Sequence, residues 1–335
     1  MFQKKHLGTL FASLLGTLAA GPGCAGDFQD NADTQAFIKE MEQRHQFDRK
    51  ELEALFEQAK KRDDILEAIS RPAEKTKPWY EYRNIFLKPK RIDGGVSFWK
   101  NNADILKRAE QAYGVDAAII VAIIGVETRY GANTGSYRVI DALSTLAFEY
   151  PPRSKFFRSE LEQFLILARE EDVDVARAKG SYAGAMGYGQ FIPSSYRAYA
   201  VDFSEDGKRD LWKNMDDIIG SVANYFHRHG WKLGEPVASR VNSGSPVAKS
   251  QISENIKPGK KTAGDFAKAG ITTDPRLPVD QAVALLEFEQ RNGPEFWLTA
   301  KNFYVITRYN RSPLYAMAVY QLSKAIQDAY QKSRS

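Results

Sequence analysis

The chain has 335 residues, 43% of them hydrophobic and 27% charged, which excludes a disordered polymer and leaves ample material for a buried core. A net charge of +5 suits an anionic partner (a cell-wall polymer, a membrane surface or a nucleic acid) without choosing among them. The single cysteine excludes an internal disulfide framework.

The start, "MFQKKHLGTLFASLLGTLAAGPGCAGDF", has a basic Lys4-Lys5 region, an apolar stretch from Leu7 to about Ala20, and then small residues. That order predicts a secretory signal over 1–26, too short for a comfortable membrane span of ~20 residues. No later segment is apolar enough to cross a bilayer, so the expectation is an exported, periplasmic protein. Cys24 stands where such a signal is cut and resembles the acylated first residue of a bacterial lipoprotein, held in the inner leaflet of the outer membrane. The preceding "GPG" matches that signal poorly, and ordinary cleavage after Ala20, Ala25 or Gly26 is the other reading.

Residues 27–70 carry apolar side chains at three- and four-residue steps behind Asp caps and read as helices. The proline-rich, aromatic segment 71–95 reads as an irregular connection or a cleft edge, and its basic run "KPKR" (88–91), like "KPGKK" (257–261), as solvated loop. Helix is expected again in "VSFWKNNADILKRAEQAYG", in "VDAAIIVAIIGVETRYG" and over 141–178. Four glycines between 180 and 189 break the pattern, an Asp-rich loop occupies 202–217, and "DDIIGSVANYFHRHGW" is one more helix. Weak periodicity follows to about Pro278. "VALLEFEQ" and "EFWLTAKNFYVITRY", separated by "RNGP", alternate as strands, and "SPLYAMAVYQLSKAIQDAYQK" closes the chain as a helix. The expected fold class is mainly α (α+β). Its parts are an N-terminal helical segment (27–95), a core over 96–231, a small β-containing insert over 232–308 and a C-terminal helix over 309–335.

Three stretches carry candidate chemistry. In "GVETRYG", Glu127 ends an apolar helix on which Ile119, Ala122, Ile123 and Val126 cover the buried side. Gly125 and Gly131 leave room for something to approach. A carboxyl group between apolar walls is a candidate general acid, because desolvation disfavours its charged form; pairing with Arg129 or Arg138 is the plainer alternative. In "GSYAGAMGYGQFIPSSY", Ser181 and Gln190 offer neutral hydrogen bonds within a loop whose glycines allow close backbone approach. The order of a phosphate-binding loop is missing. In "RYNRSPLYAMAVYQL", Tyr309, Asn310 and Tyr315 stand at a helix start, as exposed groups for stacking on sugar rings or as caps and packing. His227 and His229 lie about 200° apart around a helix, too far to share a metal.

Together with "VIDALSTLAF", "SVANYF" and "HGW", these stretches resemble in order the lytic murein transglycosylase B family, over about residues 35–330. The resemblance implies a lysozyme-like core. It also implies cleavage of the β-1,4 bond between N-acetylmuramic acid and N-acetylglucosamine, with formation of a 1,6-anhydromuramic end. Glu127 would be acid and then base; Asp141 reads as a helix cap, not a second catalytic carboxylate. Family positions imply substrate contacts from Ser181 and Gln190, cleft walls from Tyr82, Phe191, Tyr225, Tyr309 and Tyr315, and Asn310 near the reacting sugar. No cofactor is implied for the chemistry.

Asp202, Ser204 and Asp206 alternate before Gly207 like the opening of an EF-hand, but Lys213 stands where position twelve requires Glu. The family has a longer form of this loop. It implies Asp202, Ser204, Asp206, the Lys208 carbonyl and Asp216 around Ca2+ or a less selective cation such as Na+; an Asx-rich turn is the alternative. The implied partners are peptidoglycan strands and cell-wall synthesis proteins. A muramidase-type hydrolase and a non-catalytic murein-binding protein are the alternatives to the lytic activity, and export argues against nucleic acid.

Overall fold

The computed structural model describes residues 26–70, 77–275 and 277–334; the leader and Cys24 lie outside them. Three helices open the chain: α1 (Ala32–His45), α2 (Arg49–Gln58) and α3 (Asp63–Ile69). Asn31 caps α1 through the Asp33 and Thr34 amides, and Asp48 caps α2 through Glu51. Their apolar faces meet in a cluster of Phe28, Phe37, Phe56 and Phe148 rings.

The segment expected to be irregular holds two helices, α4 (Trp79–Phe86) and α5 (Pro89–Asn101). Pro78 is the N-cap of α4 and Pro89 the first residue of α5, where a missing N–H costs nothing. Asn102 then breaks the single helix expected over 96–114, so that α6 (Ala103–Tyr113) starts anew. The centre is α7 (Ala117–Thr128), packed between α5, α6 and two later helices over 215–228 and 313–332. Burial of α7 is thus wider than the one side expected: Ala117 to Gly125 are buried on every face, while Val126 and Glu127 are half-buried.

Strand β1 (Tyr137–Arg138) leads into α8 (Val139–Glu149), which packs on α9 (Ser154–Glu171). Asp141 lies inside the first turn of α8 and is not its cap. It accepts from Arg138 Nε at 2.8 Å and from the Lys60 amide at 2.9 Å, fastening the N-terminal helices to the core. After β2 (Lys179–Gly180) come α10 (Pro193–Tyr199) and α11 (Met215–Arg228).

A four-stranded antiparallel sheet follows, ordered β4-β3-β6-β5, from β3 (Ala238–Val241), β4 (Thr273–Asp274), β5 (Ala284–Gln290) and β6 (Gly293–Thr299), with α12 (Ala263–Lys268) between β3 and β4. Leu285 joins a small core with Val241, Phe266 and Leu298, while Ala284, Leu286 and Phe288 face the main core. The second expected strand stops at Thr299. Its latter half is α13 (Lys301–Tyr309), which buries Asn302, Phe303, Val305 and Ile306, and α14 (Pro313–Lys332) closes the fold. Helices α4 and α5 pack on α14, whereas α1 and α3 meet α9 and α8. No single helix among the described residues is long and apolar enough to cross a membrane.

Candidate active site

Helix α7 ends with Arg129 and Tyr130 both in the left-handed region (φ 53° and 60°), their amides closing back on Gly125 and Ile124. Glu127 is left half-buried in the last turn, at the negative end of the helix. The Thr128 hydroxyl pins this turn to the glycine-rich loop, donating to the Tyr188 carbonyl at 2.9 Å. Gly125 and Gly131 do not leave room for a ligand. A Cβ on Gly125 would lie 2.5 Å from the Tyr130 hydroxyl, and one on Gly131 (φ +88°) 2.1 Å from the Tyr188 ring. Arg138 is taken by Asp141, and one partner of Glu127 is Tyr315, whose hydroxyl donates to Oε1 at 2.5 Å. Tyr315 comes from the first turn of α14.

The aromatic residues expected in the cleft form a packed floor. Tyr315 and Tyr82 are buried; so are Phe191 and Tyr225, and Tyr309 is half-buried, so none of them is an exposed platform. Phe191 meets Tyr309 edge-on at 5.8 Å and Tyr225 at 5.7 Å, and the Tyr225 and Tyr309 rings lie 4.7 Å apart. Each phenol has a fixed use. Tyr309 donates to the Gly189 carbonyl at 2.6 Å and Tyr225 to the Arg308 carbonyl at 2.6 Å. Burial, and then the Glu127 charge, push the Tyr309 and Tyr315 phenols well above their ordinary range, so both keep their protons. Glu127 is the only carboxylate whose charge acts on Tyr309 among the described residues. Tyr82 stands near enough to Tyr315 for its phenol to act on it.

The glycine-rich loop is knitted by short β contacts: Tyr137 with Gly180, Gly180 with Met186, and Met186 with Phe191. Gly187 (φ +68°) passes so close to α11's approach that a Cβ would lie 2.2 Å from the Leu211 carbonyl. Gln190, itself at φ 51°, donates Nε2 to the carbonyls of Thr134 at 3.1 Å and Gly187 at 3.0 Å. Two carbonyl acceptors fix the amide orientation and leave Oε1 as its acceptor. Ser181 Oγ accepts from the Ala183 and Ala185 amides at 3.2 and 3.1 Å, which leaves its proton to donate. Asn310 accepts from the Ser312 amide at 3.1 Å in the turn before α14. These hydrogen bonds of Ser181 and Asn310 hold their own loops.

Sequence reasoning missed Arg91, which donates to the Gly125 carbonyl at 2.5 Å and braces the helix end that carries Glu127. Its place in "KPKR" carried no sign of that role. Chemically, the arrangement is one carboxyl group with Oε1 held by a phenol that cannot ionise at neutral pH.

In the Asp-rich loop, Asp202 accepts from the Ser204 hydroxyl at 3.2 Å and from the Asp206 and Gly207 amides at 3.1 and 2.7 Å. The third carboxylate gathered with Asp202 and Asp206, all within 4.8 Å, is Asp217. Asp216 instead pairs with Arg108 on α6, which corrects the expected set. Asp217 is buried and accepts from the amides of Phe203 at 2.8 Å and Asp210 at 2.9 Å. Lys208 sends its side chain towards Asp172 at 3.4 Å. An all-oxygen set of this kind fits a hard cation.

The family model for the transglycosylase SLT domain matches residues 29–324. Membrane-bound lytic murein transglycosylase B of Escherichia coli K12 is 46% identical over 310 residues, covering 90% of this chain and 84% of that protein. Catenated lytic transglycosylase SltB1 from Pseudomonas aeruginosa superposes with a TM-score of 0.84 at 51% identity, covering 91% of this chain and 100% of that one. Escherichia coli lytic transglycosylase Slt35 in complex with calcium superposes with a TM-score of 0.82 at 45% identity, covering 91% and 96%.

Proposed function

The chain belongs to the transglycosylase SLT domain family and is a lytic murein transglycosylase, and from that premise we propose that Glu127 is its acid and then its base. The carrying observation is the Tyr315 hydroxyl on Glu127 Oε1 at 2.5 Å, which orients the carboxyl group; in this reading Oε2 carries the proton to the substrate. Oε2 gives that proton to the glycosidic oxygen as the bond from muramyl C1 breaks, releasing the N-acetylglucosamine hydroxyl. The oxocarbenium-like centre is stabilised by the muramyl N-acetyl group, in place of a second protein carboxylate. The muramyl 6-hydroxyl then attacks C1 and its proton returns to Oε2, closing the 1,6-anhydro ring without water. Gln190 Oε1 and the Ser181 proton are the neutral contacts for substrate amides and hydroxyls, and Asn310 lies beside the reacting sugar. Tyr82, Phe191, Tyr225, Tyr309 and Tyr315 support the wall from beneath.

The test is mass spectrometry of muropeptides released from purified sacculi. Wild-type protein yields products one water lighter than reducing muropeptides, and Glu127→Gln lowers their yield by about 10²–10⁴-fold while staying folded. Full activity in the variant would remove Glu127 from the reaction.

A structural cation held by Asp202, Ser204, Asp206 and Asp217 belongs to the same proposal. It would tie α10 to α11 and take no part in the chemistry; the calcium complex of the Slt35 relative supports it. Export to the periplasm, lipid attachment through Cys24 at the outer membrane and association with cell-wall synthesis proteins are also part of it. The support is the leader's basic, apolar and small-residue order and the membrane-bound name of the Escherichia coli relative.

A further inference from the structure

The basic run that reads as solvated loop in the sequence lines a cavity. Beside the start of α5 and the turn after α7 lies a space of ≈ 440 Å³ walled by Lys88, Lys90, Arg91, Arg129, Tyr130 and Ile85, with no acidic residue in its lining. Cations elsewhere in the fold are commonly paired: Arg138 with Asp141, Arg197 with Glu170, Arg209 with Glu171. Among the described residues, Lys88, Lys90 and Arg129 have no carboxylate within ion-pair reach. Arg91 is half-buried, fixed by the Gly125 carbonyl and by the Phe86 ring 5.6 Å from its guanidinium. Burial, and then the charge of Arg129, hold the Arg91 guanidinium below its usual range. Two guanidinium groups kept close enough to oppose each other are relieved by an anion between them. Arg129 also takes a left-handed conformation, φ 53°, that a long side chain seldom adopts.

The position says which anion. Arg129 is two residues beyond Glu127, Arg91 holds the last turn that carries Glu127, and Ile85 is one helical turn from Tyr82 on α4. Cavity and Glu127 thus share the C-terminal end of α7, the end at which a glycan strand must lie to be cut there. Its N-acetylated sugars are uncharged, and its carboxylates are carried by the peptide stems on the muramyl lactyl groups. We propose that the Lys88–Lys90–Arg91–Arg129 cavity binds a peptide-stem carboxylate of the strand being cut, and so makes the enzyme prefer stem-bearing glycan. This rests on the proposed role of Glu127 only for the strand's position. Carboxylate recognition there is a separate property.

Two readouts test it. In the Glu127→Gln background, where turnover is at least about a hundredfold slower, calorimetric titration with a soluble N-acetylmuramyl tripeptide should show binding. Adding Lys88→Gln, Lys90→Gln and Arg129→Gln together should weaken it by about tenfold, as three exposed charge contacts allow. In the active protein the same triple change should lower kcat/KM about tenfold on stem-bearing strands and leave it within twofold on strands stripped of stems by an amidase, whose remaining carboxylates are the lactyl ones held against the sugar ring. Equal binding with and without the triple change, or equal losses on both kinds of strand, would overturn the proposal. So would loss of sedimentation with phosphatidylglycerol vesicles while stem preference is unchanged, which would give the cavity to a lipid phosphate. Reducing ends from the active protein would instead overturn the role given to Glu127 and leave the titration to decide the cavity.

Discussion

At the scale of single residues, the pair Glu127 and Tyr315 carries the account, and only half of it was legible. A carboxylate after "VDAAIIVAII" stands out because charge at the end of a fully buried helix needs a reason. In the sequence Tyr315 reads equally as a stacking group or as helix packing, because an aromatic residue near a helix start does not declare which side it faces. In the fold it is buried and donates to Oε1. Tyr315→Phe keeps the ring and removes the donor. Steady-state turnover should fall by about 10–100-fold, the worth of a hydrogen bond to a charged group, with an unchanged melting temperature. Turnover within twofold of wild type would show that the phenol does not orient the acid. The glycines misled in the opposite sense: at 125 and 131 the missing side chains make way for Tyr130 and Tyr188. The adjacent acids 216 and 217 point about 100° apart on α11, which spacing in a loop of variable length cannot resolve.

At the scale of elements, long apolar periods such as those of α9 and α14 were legible, whereas elements begun by proline were not. Pro78 and Pro89 read as breakers and instead start α4 and α5. Helix α13 was read as strand because "KNFYVITRY" is rich in aromatic and β-branched residues, and tertiary burial between β6 and α14 overrides that preference. Helix α10, which follows Gln190 and Phe191, depends on a buried group: Glu160 on α9 accepts from the Ser194 amide at 2.9 Å and its hydroxyl at 2.7 Å. Burial raises the Glu160 carboxyl above its ordinary value of 4.5, against the Ser194 bonds. The folded state thus holds a proton that the unfolded chain has released. The associated stability is full below 4.5, lost as pH rises through the folded value, and flat above it. Glu160→Gln removes this titration, so the melting temperature of the variant minus that of wild type should become more positive between pH 4.5 and 7. A constant difference across that range, by scanning calorimetry, would contradict the assignment.

At the scale of the whole molecule, the motifs in "GVETRYG" and "AGAMGYGQFIPSSY" lie far apart in sequence and were joined only by the resemblance. Physically they are joined by Thr128 on the Tyr188 carbonyl and Gln190 on the Thr134 carbonyl. No local pattern encodes contacts between such separate segments, and so the site's membership was easier to read than its geometry. The Asp-rich loop bridges α10 and α11. Calcium at a hundredfold excess over Kd should therefore stabilise the fold by about 2.7 kcal/mol. The melting temperature should rise with calcium in wild type and stay fixed in the double variant Asp202→Asn, Asp206→Asn. Equal rises in both would place the cation elsewhere.

The central claim is that one carboxylate passes the glycosidic bond to an internal hydroxyl without admitting water. Digestion of sacculi in water enriched in heavy oxygen, followed by mass spectrometry of the muramyl ends, tests this most directly. The account predicts unlabelled 1,6-anhydro ends from the wild-type protein; heavy oxygen incorporated at muramyl C1 would contradict it.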